Sequence, residues 1–119
     1  MDPRAAVLIR ALELEPHPEG GFYREIWRSP HAVEPADGRG RRAACTAIYF
    51  LLPGGAVSRW HRVRSDEIWQ HSEGAPLELL QLPPGEWRLQ RTRLGAPASA
   101  HQAPLHCVPA NWWQAAHSL

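Results

Sequence analysis

The chain has 119 residues, one domain's worth, and its 44% apolar and 21% charged content is that of a folding globular protein rather than a disordered one. A formal net charge of +1 gives neither nucleic acid nor an anionic membrane the concentrated basic surface it rewards, and no window stays apolar for the roughly 18 residues of a membrane span. All thirteen basic residues are arginine, which excludes Schiff-base chemistry, pyridoxal phosphate attachment and a P-loop lysine.

The opening "MDPRAAVLIRALELEP" predicts a short helix. Asp2 is a suitable N-cap, Pro3 suits the first helical position, and Ala5, Leu8, Ile9 and Leu12 recur on one face. Pro16 and Pro18 are expected to end it. After them "GGFYREIWRS" has the aromatic and β-branched content of a strand, and residues 30–42, with "DGRGRR", read as a solvated loop. The nearly continuous apolar run "ACTAIYFLL", residues 44–52, predicts a strand buried on both faces.

Four further short strands follow in "VSRWHRV", "DEIWQHS", "LELLQL" and "WRLQRTRL", and two more in "PLHCVPANWWQAAHSL" around Pro109-Ala110-Asn111. Short strands at this spacing, with one N-terminal helix and no linker, argue for an all-β sandwich or barrel spanning residues 1–119 as a single domain. Cys45 and Cys107 read as reduced thiols, and the N-terminus lacks the apolar core of a signal peptide, so a cytoplasmic protein is expected.

Chemistry concentrates in "GAVSRWHRVRSDEIWQHSEG", residues 55–74. Strand alternation puts Arg59, His61 and Val63 on one face, and Glu67, Trp69 and His71 on another. A hairpin across Arg64-Ser65-Asp66 would make the two faces coincide around one cavity. His17, His31, His101, His106 and His117 have no partner at metal or catalytic spacing and read as surface or structural. A Ser-His-Asp triad is a poor reading of Ser58, His61 and Asp66, because no Gly-x-Ser-x-Gly elbow is present.

The spacing resembles the first motif of the cupin superfamily, G-x5-H-x-H-x3-E-x6-G: Gly55, His61, Glu67 and Gly74 fall in register, with Val63 at the second histidine. The second motif, P-x-G-x2-H, is matched by Pro109, Asn111 and Gln114, the asparagine tolerating a left-handed backbone. "PHPEGGFYRE", "TAIYFLL", "SRWHRVRSDEIW", "GAPLEL" and "VPANWWQAA" resemble, in order, the blocks of the cupin 5 (DUF985) branch. That resemblance implies a double-stranded β-helix, or jelly-roll barrel, normally a homodimer, with a ligand pocket at the barrel mouth. Members commonly carry histidine where this chain has Gln70, followed here by His71, and they continue past "WWQAA" with another strand, so a chain ending at Leu119 is expected to lack part of one sheet.

Three readings of the site stay open. A divalent metal would draw on His61, Glu67, His71 and Gln114, but loss of two customary histidines, at Val63 and Gln114, argues against a cofactor. Without metal, His61 and Glu67 form an acid–base pair. By analogy with metal-free nucleotide-sugar epimerases of the superfamily, Tyr23 or Tyr49 would be the acid, and Arg24 or Arg59 would grip a phosphate or carboxylate. Otherwise the chain is a non-catalytic module that binds a small molecule. Trp69, His71, Trp112 and Gln114 are the expected pocket wall.

Overall fold

A computed structural model describes residues 1–97 and 101–119. The helix α1 (Pro3–Ala11) starts as expected, with the Asp2 carboxylate accepting from the Arg4 amide at 2.7 Å and Ala5 buried. It ends several residues before Pro16. Leu12 is the C-cap and Glu13 turns the chain with a positive φ of 53°. The expectation that the prolines stop the helix is corrected: the left-handed turn at Glu13 does so first.

Eleven strands follow among the described residues: β1 (Glu15–Pro16), β2 (Phe22–Arg28), β3 (Ala32–Val33), β4 (Arg42–Ala43), β5 (Thr46–Leu51), β6 (Val57–His61), β7 (Glu67–Gln70), β8 (Leu77–Leu82), β9 (Gln90–Leu94), β10 (Leu105–Val108) and β11 (Trp113–Ser118). All strand-to-strand ladders are antiparallel. One sheet runs β6-β11-β8-β9 and another β1-β2-β5, while β7 pairs with β10 and β3 with β4. The loop expected at 30–42 therefore carries the short strand β3 and the start of β4.

The core joins these ladders. Leu79, Leu94, Val108 and Ala116, from β8, β9, β10 and β11, form the buried cluster, with Leu52, Trp69, Leu77 and Trp112 packed against it. A polar tie crosses the same space: the buried Gln81 amide lies 2.9 Å from His106 Nε2 and 3.3 Å from Thr92 Oγ1, linking β8, β10 and β9. With partners on both sides, that amide is satisfied and structural.

Two sequence expectations change. β6 and β7 do not form a hairpin: β6 pairs with β11 and β7 with β10, so residues 62–66 carry the chain from one sheet to another. Asp66 anchors that crossing by accepting from the Ala110 amide at 2.9 Å, beside the turn where Asn111 adopts φ 70°. β5 is not buried on both faces either. It forms the edge of its sheet, and Ile48 and Tyr49 remain 45% and 43% exposed. A Cα radius of gyration of 15.1 Å, against roughly 13.5 Å for a compact domain of this length, fits that open side. None of the described helices is long and apolar enough to cross a membrane.

Candidate functional site

The stretch from Pro16 to Gly21 forms a tight connection between β1 and β2. His17 N–H donates to the Gly21 carbonyl at 2.9 Å, and Gly20 N–H donates back to the His17 carbonyl at 3.0 Å. Gly20 and Gly21 have positive φ, 113° and 77°, and a Cβ on Gly20 would fall 2.0 Å from the Val57 carbonyl oxygen. Only glycine lets the loop lie so close to β6. The loop is then fastened there: the Arg59 amide donates to the Glu19 carbonyl at 2.7 Å, and its guanidinium donates to the Pro18 carbonyl.

That attachment brings His17 within electrostatic range of His61, which disfavours a proton on His17. His17 keeps the structural contacts of its loop, with Nδ1 bonded to the Glu19 amide, and gains His61 as a neighbour. Forty-four positions separate the two histidines in the chain, so spacing carries no signal; only the docking of the loop on β6 unites them.

β6 carries one extra residue against β11. Ser58 pairs with Ala116 and His61 with Gln114, so three steps on β6 match two on β11. This bulge breaks simple alternation. Ser58 is buried, Arg59 and Trp60 are exposed, and His61 at the strand end is half-buried. Arg59 and His61 therefore do not share a face by parity, and the Arg59 side chain serves the loop. Register across the sheet puts His61, Gln114 and Gln81 in one row. Glu67 and Trp69 face the same region from β7, where alternation holds: both are half-buried and Ile68 between them is 70% exposed.

Hydrogen bonds fix which atom each group presents. A carbonyl can only accept, so His61 Nδ1, 2.7 Å from the Arg59 oxygen, carries a proton, and in the neutral ring the acceptor is then Nε2. The opposite holds at His17, whose Nδ1 accepts from the Glu19 amide at 3.0 Å and whose neutral ring therefore carries its proton on Nε2. An indole only donates, so Trp69 Nε1–H, 3.0 Å from Gln114 Oε1, holds the carbonyl end of the amide. Gln114 Nε2 is thereby turned to Glu67. Its residue is 1% exposed, and Nε2 has no partner at hydrogen-bond length, although it lies close enough to favour the carboxylate.

Burial pushes the Glu67 carboxyl above its usual range, with His61 and Gln114 opposing the rise. Burial also pushes His17 down, and His61 adds to that, against a smaller opposite effect of Glu19. Aromatic rings close the cluster: His17 meets Tyr23 edge-on at 4.8 Å and Phe50 at 5.4 Å, and Phe50 meets Trp69 at 5.7 Å. Hence the Tyr23 ring lies on the cluster's side of β2.

Other expected site residues go elsewhere. Arg24 donates to the Leu12 carbonyl at 3.2 Å and lies 4.0 Å from Glu13, closing the end of α1. His71 Nε2 lies 3.1 Å and 3.3 Å from the carbonyls of Gly74 and Ala75, holding the turn before β8. Trp112 packs on the core. The metal set His61, Glu67, His71 and Gln114 thus does not assemble. His71 faces its turn, and Gln114 presents N–H groups where a cation needs an oxygen. No three metal-binding side chains converge among the described residues. His17 makes no third ligand, because a lone pair on its Nε2 would put a proton on Nδ1 against the Glu19 amide.

A groove of about 400 Å³ lies on the outer face of the four-stranded sheet, between Trp60, Leu82, Trp87 and Trp113. Its walls are apolar apart from Glu86 and carry no acid–base pair, whereas the two titratable groups shifted by burial, Glu67 and His17, lie in the His17–His61–Glu67–Gln114 cluster.

Comparison with known proteins matches residues 6–119 to the family model described as cupin superfamily (DUF985). The chain belongs to the cupin superfamily, in its DUF985 family. This cupin is similar to a hypothetical protein from Leishmania major, at 34% identity and a TM-score of 0.87, over 95% of this chain and 69% of that one. It is similar also to a Shewanella oneidensis protein solved by X-ray crystallography, at 36% identity and a TM-score of 0.85, over 96% of this chain and 68% of that one. No curated protein matches it. The all-β cupin fold implied by the sequence motifs is the fold observed.

Proposed function

We propose that this cupin binds a small polar metabolite and moves a proton on it without a metal, as an isomerase or epimerase. The bond from His61 Nδ1 to the Arg59 carbonyl at 2.7 Å, which makes Nε2 the acceptor of the neutral ring, is the observation that carries the reading. That nitrogen removes a proton from a carbon beside a carbonyl, and the electron pair moves onto the carbonyl oxygen. Tyr23 and the Nε2–H of His17 are the donors assigned to hold that oxygen. Delivery of a proton from Tyr23 to the opposite face of the same carbon, with the phenolate reprotonated from solvent as His61 releases its proton, gives an epimer; return of the proton from His61 to the neighbouring carbon, with the hydroxyl proton passing to the first oxygen, gives an isomer. Glu67, beside His61, supports the imidazolium formed in between.

The test is solvent-deuterium incorporation into a panel of aldoses, ketoses and nucleotide sugars. Exchange that His61→Gln abolishes supports the reading. Tight binding with no exchange identifies a non-catalytic binding module instead.

We also propose a homodimer, supported by the apolar side chains exposed on β2 and β5, among them Trp27 at 56% and Ile48 at 45%. A monomeric mass in analytical ultracentrifugation at micromolar concentration refutes it.

A further inference from the structure

The same cluster constrains the charge and the functional groups of what it takes; the argument rests on the site proposed above. Among the described residues Glu67 makes no ion pair with an arginine. The two arginines expected to grip an anion are committed elsewhere: Arg24 to the end of α1 and Arg59 to the Pro18 carbonyl. Arg62 lies 5.1 Å from the centre of the Trp113 ring, on the outer face of the sheet. A phosphate or carboxylate at this site would meet Glu67 without a counter-charge.

What the cluster does offer is a balanced set of neutral partners. His61 Nε2 and the Glu67 carboxylate accept, while His17 Nε2–H and Gln114 Nε2–H donate. Gln114 weighs most. Its amide is nine-tenths buried, Trp69 prevents it from turning over, and Nε2 faces the Glu67 carboxylate without reaching it at hydrogen-bond length. A buried donor left unpaired is costly, and a group that relieves it must accept a hydrogen bond. Beside Glu67 the group must also donate one. A hydroxyl does both, whereas a carbonyl lacks the donor and an ammonium lacks the acceptor. The rings of Phe50, Trp69 and Tyr23 supply the apolar wall that the carbon face of such a ligand needs.

We infer that the site takes an uncharged, hydroxyl-rich ligand, a free sugar or polyol, with one hydroxyl accepting from Gln114 and donating to Glu67. The inference narrows the substrates of the proton-transfer reading to unphosphorylated aldoses and ketoses.

Calorimetry on the full chain tests it with free hexoses, pentoses and inositol, against the matching sugar phosphates and nucleoside diphosphate sugars. Neutral sugars are expected to bind, with the phosphorylated forms weaker by about tenfold or more. Gln114→Glu, which replaces the donor with a second acceptor, is expected to weaken neutral-sugar binding by at least about tenfold. Because a buried acid can disturb folding, Trp69→Phe provides a second readout: it keeps the aromatic wall, frees the amide to turn over, and is expected to weaken binding several-fold. Equal or tighter binding of phosphorylated ligands, or no binding of any neutral probe, overturns the inference. Neutral-sugar binding without deuterium exchange overturns only the proton-transfer reading. Exchange on a nucleotide sugar that survives Gln114→Glu overturns only this inference.

Discussion

His17 and His61 sit at one site with their Nδ1 atoms bonded in opposite senses, accepting from the Glu19 amide in His17 and donating to the Arg59 carbonyl in His61. Backbone groups impose both states, the Glu19 amide by donating to one ring and the Arg59 carbonyl by accepting from the other. Each imidazole therefore turns a different function outward, a donor at His17 and an acceptor at His61. A pair of identical side chains becomes a potential acid and base without any difference in residue type.

Nitrogen-15 NMR at pH 8 is expected to show this directly, with His17 in the Nε2–H form and His61 in the Nδ1–H form. His17 is expected to titrate below its ordinary value of 6.5. Since its folded-state pKa is depressed, the unfolded chain takes up the proton first as pH falls, so folding stability declines below about pH 6.5. His17→Gln removes that part of the decline. Urea denaturation at pH 7.5 and at pH 5.5 makes the comparison, and an unchanged pH dependence in the variant contradicts the assignment.

Glu67 gives the opposite slope. Burial raises its folded-state pKa above 4.5, so the folded protein holds the proton over a range where the unfolded chain has lost it. Stability associated with Glu67 is full below pH 4.5 and falls as pH rises through the folded value. Glu67→Gln is therefore expected to melt a few degrees higher than the parent at pH 7, with the gap closing towards pH 4. Proton transfer is expected to drop in the same variant. Stabilisation with loss of activity is the pattern of a carboxylate kept for function rather than for folding.

Gly20→Ala is expected to cost about 3 kcal/mol or more. The new methyl would meet the Val57 carbonyl oxygen at 2.0 Å, and φ of 113° is strained for any L-side chain. Gly38→Ala is the control: φ is also positive, 78°, but nothing lies within 4 Å, so about 1 kcal/mol of backbone strain is all it should lose. Chemical denaturation of both variants separates the contact from the dihedral. Similar losses would mean that the loop does not bear on β6.

Local chemistry was legible in the sequence, and pairing across the fold was not. Asp2, Pro3 and Asn111 act through their own backbone geometry, so a helix start and a left-handed turn follow from one residue each. Alternation located Glu67 and Trp69 on the inner side of β7, and the Pro109, Asn111 and Gln114 spacing located the buried amide. Alternation failed on β6 because one inserted residue reset the parity between Ser58 and His61. The hairpin reading of residues 57–71 failed because a short connection says nothing about whether the chain stays in its sheet; Asp66 and the Ala110 amide decide that from 44 positions apart. The apolar run of β5 predicts burial, but composition reports what a strand tolerates and not what covers it. His17 was out of reach for the same reason: its role depends on where the Pro16–Gly21 loop is pinned.

Arg59 is what pins it, and its removal should act at a distance from its own position. The guanidinium holds the Pro18 carbonyl while the Arg59 amide holds that of Glu19, so Arg59→Ala deletes the first bond and spares the second. Global stability is expected to fall by about 1 kcal/mol, the usual value of one such hydrogen bond at the surface. Inside the loop the effect should be larger. The amides of Glu19, Gly20 and His17 bond within or onto the loop, and their hydrogen-exchange protection is expected to drop more than that of β8 or β11. As Glu19 N–H loses its fixed place against His17 Nδ1, His17 should lose its single tautomer and titrate closer to 6.5. Exchange measured by NMR on the same sample as the histidine titration ties the two effects together. A loop that stays protected while His17 still holds one tautomer would show that Gly20 and the backbone bonds seat the loop unaided.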